Sequence, residues 1–183
     1  MRIPRMLPVF LLTTMCLAQP ALADTAAEID ADVDETLAQF RSEVNGADVF
    51  LRNAAGVLVF PRVVKAGIGI GGEYGKGALR VGGETVDYYS TAAGSIGFQL
   101  GAQAKSIVIA FMTEKALAKF RGSAGFKVGV DGSVALIDLG AGKSIDTANI
   151  KDPVVGFVFG SRGLMYNLTL EGSKFTKLDM SED

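Results

Sequence analysis

Apolar residues recur at Ile29, Val33, Leu37, Phe40 and Val44, in steps of four, four, three and four, through the segment TAAEIDADVDETLAQFRSEV, residues 25–44. That spacing returns to one face of a 3.6-residue turn, so it predicts an amphipathic helix. The opposite face carries Glu28, Asp30, Asp32, Asp34 and Glu35, near the N-terminus, where the helix dipole favours negative charge. Asp30 and Asp34 are the candidates for a carboxylate pair, but nothing apolar surrounds them to move a pKa, and they read as a solvated acidic face. A second short helical segment is expected over about 47–54. It leads into the apolar run Val57-Leu58-Val59-Phe60, which Pro61 should end because proline has no N–H to give.

From Gly56 onward the period changes to two, with turn residues recurring along the chain, the pattern of antiparallel strands. Ile96, Phe98 and Leu100 alternate with Ser95, Gly97, Gln99 and Gly101; Phe126, Val128 and Val130 alternate with Gly125, Lys127 and Gly129. Leu164, Tyr166, Leu168 and Leu170 do the same against Met165, Asn167, Thr169 and Glu171. Asp131-Gly132 reads as a two-residue hairpin turn between strands 126–130 and 133–139, and Ser161-Arg162 as part of a turn between 154–159 and 164–170. Thr113 is placed to cap a helix, TEKALAKFR, after the apolar run 106–112.

Within this region KAGIGIGGEYGKGALR, residues 65–80, contains Gly67-Ile68-Gly69-Ile70-Gly71-Gly72, the letter pattern of a dinucleotide-binding loop. Such a loop needs a helix after it, because first-turn N–H groups hold the phosphates. The residues from Glu73 to Arg80 contain two more glycines and no 3.6 period, so no helix opens there and no nucleotide is expected. Ile68 and Ile70 instead alternate with Gly67, Gly69 and Gly71 as side chains alternate across a strand, and the same glycine face returns at Gly97, Gly101, Gly125 and Gly129. Glycine inside a strand costs stability, and its repeated use points to bends, bulges or close backbone approach. The expected fold is α+β: a strongly curved, barrel-like antiparallel sheet of about eight to ten short strands, packed by the N-terminal helix and one short helix.

Composition adds an address and removes several chemistries. The first 23 residues have the parts of a secretory signal: basic Arg2 and Arg5, the apolar run from Met6 to Ala18, and the small-residue site Ala21-Leu22-Ala23. Cleavage after Ala23 is expected, and the run, interrupted by Pro8, falls short of the roughly 20 apolar residues that span a bilayer. Lipid attachment at Cys16, the only cysteine, is not expected, because Met15 stands where a lipoprotein site calls for a small residue. The mature chain, 24–183, would be one domain, with a helical segment at 25–54 and a β-rich body at 56–178. The sequence has no histidine, which removes Ser-His-Asp triads and histidine-dependent metal sites. Loss of Arg2 and Arg5 from 18 basic side chains leaves 16 against 20 acidic ones, net −4, so net charge attracts neither nucleic acid nor an anionic surface.

AAGVLVFPRVVKAGIGIGGEYGKGALR, then DYYSTAAGSIGFQLGAQAKSIVIAFMTEKAL, then GVDGSVALIDLGAG and GFVFGSRGLMYNLTLEGSKF resemble, in order, the blocks of the SYLF domain family, from about Ala47 to Leu178. The resemblance implies a membrane-binding domain: eukaryotic members are cytosolic, bind phosphoinositide-containing membranes and in yeast associate with actin, whereas bacterial relatives are typically exported. For this chain it implies a periplasmic location. Lys65, Gly67, Gly69, Gly71, Gly72 and Gly75 sit in the family's most recognisable block, with Arg62, Lys76 and Arg80 beside them. The four positive charges, Arg62, Lys65, Lys76 and Arg80, interrupted by Glu73 alone, form a basic cluster suited to lipid head groups.

The expected function is therefore a non-enzymatic lipid-binding or membrane-surface-binding module in which the curved sheet offers an apolar concavity. The alternative is an envelope structural or interaction protein that docks a partner through the acidic helix. An enzyme without His or Cys would depend on carboxylate, Ser, Tyr or Lys chemistry, and no such group stands at a recognisable motif spacing. No cofactor, metal or nucleic acid is expected, and the triplet Asn167-Leu168-Thr169 is given no role as a glycosylation site.

Overall fold

The structure is a computed structural model; it describes residues 25–137, 151–162, 170 and 172–180, with the backbone alone at 66–70, 95–103 and 160–162. The signal segment, the alternating stretch 164–169 and the triplet at Asn167 lie outside the described residues. The acidic amphipathic segment forms α1, Ala26–Glu43. Thr25 caps it: its side chain accepts from the Glu28 N–H while the Glu28 carboxylate accepts from the Thr25 N–H, a reciprocal capping box. Ile29, Val33, Leu37, Phe40 and Val44 are all buried, as their spacing requires. A left-handed Gly46 (φ 86°) turns the chain into α2, Ala47–Asn53.

Two very long strands follow, β1 (Gly56–Val81) and β2 (Glu84–Phe111), paired antiparallel from Val81↔Glu84 to Gly56↔Phe111. Gly82 and Gly83, with φ of 61° and 94°, form the tight turn between them, where only glycine adopts both angles without strain. The register slips between Phe60 and Val63, between Gly67 and Gly69, and between Leu79 and Arg80. Pro61 therefore does not end the first apolar run. It occupies an irregularity in which its missing N–H disturbs no ladder bond, and the strand continues past it.

The curvature has a visible cause. A Cβ on Gly77 would lie 1.9 Å from the Val59 carbonyl oxygen, and one on Gly75 would lie 2.6 Å from that of Arg62. The two halves of β1 thus fold back and cross each other backbone to backbone, a contact that side chains would prevent. The glycines are strand residues, Gly67 paired with Gly101, Gly69 with Gly97, Gly71 with Ser95 and Gly72 with Gly94, and no helix follows them to hold a phosphate.

Around this hairpin the strongly curved sheet is completed on the free side of β2. After α3 (Glu114–Arg121), capped by the Thr113 side chain as expected, come β3 (Phe126–Lys127), β4 (Ala135–Ile137), β5 (Val154–Arg162) and β6 (Lys174–Leu178). β5 pairs with the second half of β2, β6 with Tyr88–Ala92 of its first half, and β3 with β6, all antiparallel. The described residues thus hold three helices and an α+β fold whose sheet the two long strands dominate.

Three local expectations are corrected. Asp131-Gly132 does not join two hairpin strands: the chain turns there, but β4 pairs parallel to β5, leaving β3 to β6. In that turn Val130 is exposed instead of facing a core, while the Asp131 carboxylate accepts from the Lys127 N–H at 2.7 Å. Ser161 and Arg162 lie within β5, where Arg162 still pairs with Ala104.

Period-two alternation delivers two cores, one on each face of the sheet. Val57, Val59, Val108, Ala110, Val155 and Phe157 meet α1 and α2 on one face. Leu58, Phe60, Ile107, Ile109 and Phe111 point the other way, into the curl, where α3 and Phe126 and Phe175 fill the space. The concavity suggested by the sequence is therefore occupied, among the described residues, by the protein's own aromatic side chains: Phe120 lies 4.8 Å from Phe111 and 4.9 Å from Tyr89, ring centre to ring centre.

Candidate functional site: a groove between the first helix and the first strand

The four basic residues of the 62–80 segment have different fates. Arg80 is taken up by α1: its Nη2 lies 2.8 Å from Asp34 Oδ1 and 3.5 Å from Asp30 Oδ1. Asp30 also accepts from Thr85 Oγ1 at 2.6 Å and from the Tyr88 hydroxyl at 2.8 Å. Burial, and then the hydrogen bond to Asp30, push the Tyr88 phenol up from its ordinary value, keeping it a donor. Asp30 and Asp34 are thus neither a catalytic pair nor a purely solvated face. They fasten α1 to the β1–β2 hairpin.

Lys65 sits 3.7 Å from Glu73 Oε1, and the buried Lys105 sits 2.6 Å from Glu73 Oε2. One carboxylate therefore compensates two ammonium groups, one of them desolvated, which is the arrangement a buried lysine requires. Arg62 and Lys76 line an open groove of about 670 Å³. Its helix side is Glu28, Ile29 and Asp32; its strand side runs through Pro61, Arg62 and Val64 and then through Gly72 to Lys76. Among the family-block glycines, Gly72 and Gly75 lie in this lining, and the crossing of the strand at Gly75 is what brings residues 61–64 beside 72–76.

The groove also contains residues that sequence reasoning passed over. Tyr74, 52 % exposed, is the one aromatic side chain amid the glycine run of residues 65–80, and that isolation is the available signal. Asp32 belongs by its spacing to the charged face of α1, and Lys105, thirty-two positions beyond Glu73, gives no local sign of its partner. Chemically the groove presents charge of both signs, an aromatic ring and a small apolar floor. Among the described residues no three His, Cys, Asp or Glu side chains are grouped to hold a metal ion. A second groove, about 510 Å³, lies between α1, α2 and the Gly82-Gly83 turn and includes Arg41, Asp48 and Arg80. Among the described residues no helix is long and apolar enough to cross a membrane.

Residues 92–181, from within β2 through β6, match the family model described as Ysc84: Las17-binding protein actin regulator. That part of the chain belongs to the Ysc84 (SYLF) family. The Ysc84 family is one of binding domains, and the match agrees with the resemblance that the sequence blocks carry. No curated protein matches the chain. The groove's lining, between Glu28 and Lys76, precedes the span matched to the Ysc84 model, so its residues owe nothing to that match.

Proposed function

We propose that this chain is an exported, periplasmic, non-enzymatic module that engages lipid or a membrane surface, with a lipid head group seated in the groove between α1 and β1. The carrying observation is that the groove gathers Arg62 and Lys76 of the basic cluster beside an exposed tyrosine. Ysc84-family membership supports a binding role, and Arg2, Arg5, the apolar run and Ala21-Leu22-Ala23 support export.

The geometry sets the strength. A basic residue near an anionic surface contributes about 1 kcal/mol, and Lys65 and Arg80 are already held by carboxylates, so the cluster supplies far less than its four formal charges suggest. Charge alone then gives weak adsorption, screened beyond a Debye length of roughly 10 Å. Co-sedimentation of the mature protein with phospholipid vesicles tests this. Weak binding lost at moderate salt, diminished by Arg62→Glu and insensitive to reversal at the exposed Arg52, is expected. Absence of binding to every vesicle composition sinks the lipid reading. An N-terminus at a diacylated Cys16 in place of Asp24, read by intact mass, sinks the export reading.

A protein-docking role is the second reading. The Ysc84 description names a protein partner, Las17, and Glu28, Asp32 and Glu35 remain exposed on α1. A protein co-purifying in stoichiometric amount, lost on Glu35→Lys, would favour it.

A further inference from the structure

The charges around the groove are sorted, and the sorting specifies a ligand. Glu28 is held in the capping box, Thr25 N donating to its Oε2 at 2.8 Å. Glu73 is shared by Lys65 and Lys105. Lys76, also in the lining, has a partner of its own. Arg62 and Asp32 differ from these: both are exposed, both line the groove, and among the described residues no ion pair or side-chain hydrogen bond engages either one, including with each other. One cationic and one anionic group of opposite walls are thus left uncommitted, with space between them.

From this sorting we infer that the groove selects a zwitterionic phosphate ester, a phosphodiester carrying an amine or substituted ammonium group, over a purely anionic one. The phosphate meets the Arg62 guanidinium, whose planar donors match phosphate oxygens. The ammonium end meets the Asp32 carboxylate, and the exposed face of Tyr74 in the same lining offers a surface of the kind that attracts organic cations. A purely anionic ligand would satisfy Arg62 but bring its charge towards Asp32 and Glu28, a repulsion that specificity can exploit. The pocket is large enough for such a head group, at about 670 Å³. This inference rests on the groove being the binding site proposed above, and adds the charge class of what it takes.

The source of the head group, a bilayer lipid or a free glycerophosphodiester, is separated by the probes. The mature protein is titrated calorimetrically with glycerophosphoethanolamine and with glycerol phosphate, and in parallel with vesicles of phosphatidylcholine with and without phosphatidylethanolamine, and of phosphatidylglycerol. The expected result is a preference of about tenfold or more for the zwitterionic probes, the size of one good charged contact. Asp32→Asn should collapse that preference by weakening zwitterion binding and strengthening glycerol phosphate binding. Arg62→Gln should weaken both. Both positions are exposed, so thermal melts should coincide with wild type and the variants report on binding alone.

Binding of phosphatidylglycerol vesicles as tight as or tighter than zwitterionic ones, unaffected by Asp32→Asn, would overturn this inference and leave the lipid reading standing. Binding of glycerophosphoethanolamine with no vesicle binding would support the charge class and overturn the bilayer as its source. No binding of any probe would overturn both.

Discussion

The two faces of the sheet are closed by different means. The inner face is closed by the chain that forms it: β1, β2, α3, β3 and β6 send Phe60, Phe111, Phe120, Phe126 and Phe175 into one aromatic cluster, Phe120 touching four other rings at 4.8–6.3 Å. The outer face is closed by α1, through the Ile29–Val44 stripe and through polar anchors at its edge, Arg80 to Asp30 and Asp34, and Tyr88 and Thr85 to Asp30. A curled sheet can be a container or a solid support, and among the described residues the inner face is filled by side chains, as in a support. The open grooves described above run along α1, where a convex helix on a curved sheet leaves clefts at its flanks.

Truncating one aromatic on each face gives the largest effects and probes whether the two cores are separable. Phe120→Ala and Phe40→Ala should each cost about 3–5 kcal/mol in denaturant unfolding. Phe40 packs on Phe157 and Phe159 at 5.1 and 5.3 Å, so its loss should also release hydrogen-exchange protection in α1, whereas Phe120→Ala should leave α1 protected relative to the rest. Equal loss of α1 protection in both variants would mean that the two faces open as one unit.

The crossing of β1 predicts a smaller but sharper contrast. Gly77→Ala places a methyl carbon 1.9 Å from the Val59 carbonyl oxygen, so the crossing must spread, at a cost of about 1–3 kcal/mol or more. Gly94→Ala, with nothing within 4 Å of the added carbon, should stay within about 0.5 kcal/mol of wild type. Similar melting temperatures for the two variants would remove the crossing as the cause of the curvature.

The smallest effect compares neighbouring tyrosines that point to opposite faces. Tyr88 lies against the helix face and Tyr89 in the aromatic core. Both phenols are raised above 10.0 by burial, Tyr89 to about 12 with the Asp87 carboxylate adding to the rise. A raised phenol pKa stabilises the fold below the unfolded value of 10.0 and loses that contribution as pH climbs towards 12. Phenolate absorbance should therefore show a late component deleted by Tyr89→Phe, and the wild-type alkaline loss of stability should shrink in that variant. A Tyr89 that titrates at its ordinary value would place water in the inner face.

Much of this architecture is legible in the sequence because it is local. The stripe of α1, the cap at Thr113 and the strand character of Gly67–Gly72 follow from periods that a few neighbouring residues display. The capping box was also present as Thr25 with Glu28 three positions on. What is not legible depends on distant partners. Nothing near Arg80 announces Asp30, fifty residues earlier, so a basic cluster counted by proximity in sequence contained one cation already committed to a helix. Asp131-Gly132 carries a hairpin's letters, yet the strand after it pairs elsewhere, since the turn fixes only the reversal of the chain and not its partner. Within the groove, Arg62 and Lys76 were legible as charge, while Asp32 and Tyr74 became site residues only when the strand crossing brought two parts of β1 beside α1.

The Gly82-Gly83 turn has a consequence for how the molecule is made. Val81 and Glu84 are neighbours across it, whereas Gly56 and Phe111, at the far end of the same pairing, are separated by the whole hairpin. Closing a small loop costs less chain entropy than closing a large one, so pairing propagates most readily from the glycine turn outward. The approach of Val59 to Gly77 lies within β1 and spans less chain than the pairing of Val59 with Val108, so by the same argument the crossing costs less to close than the far end of the hairpin. Pairs as distant in sequence as Gly56 and Phe111 raise the contact order of the fold, which favours slower folding than in a helical protein of similar length.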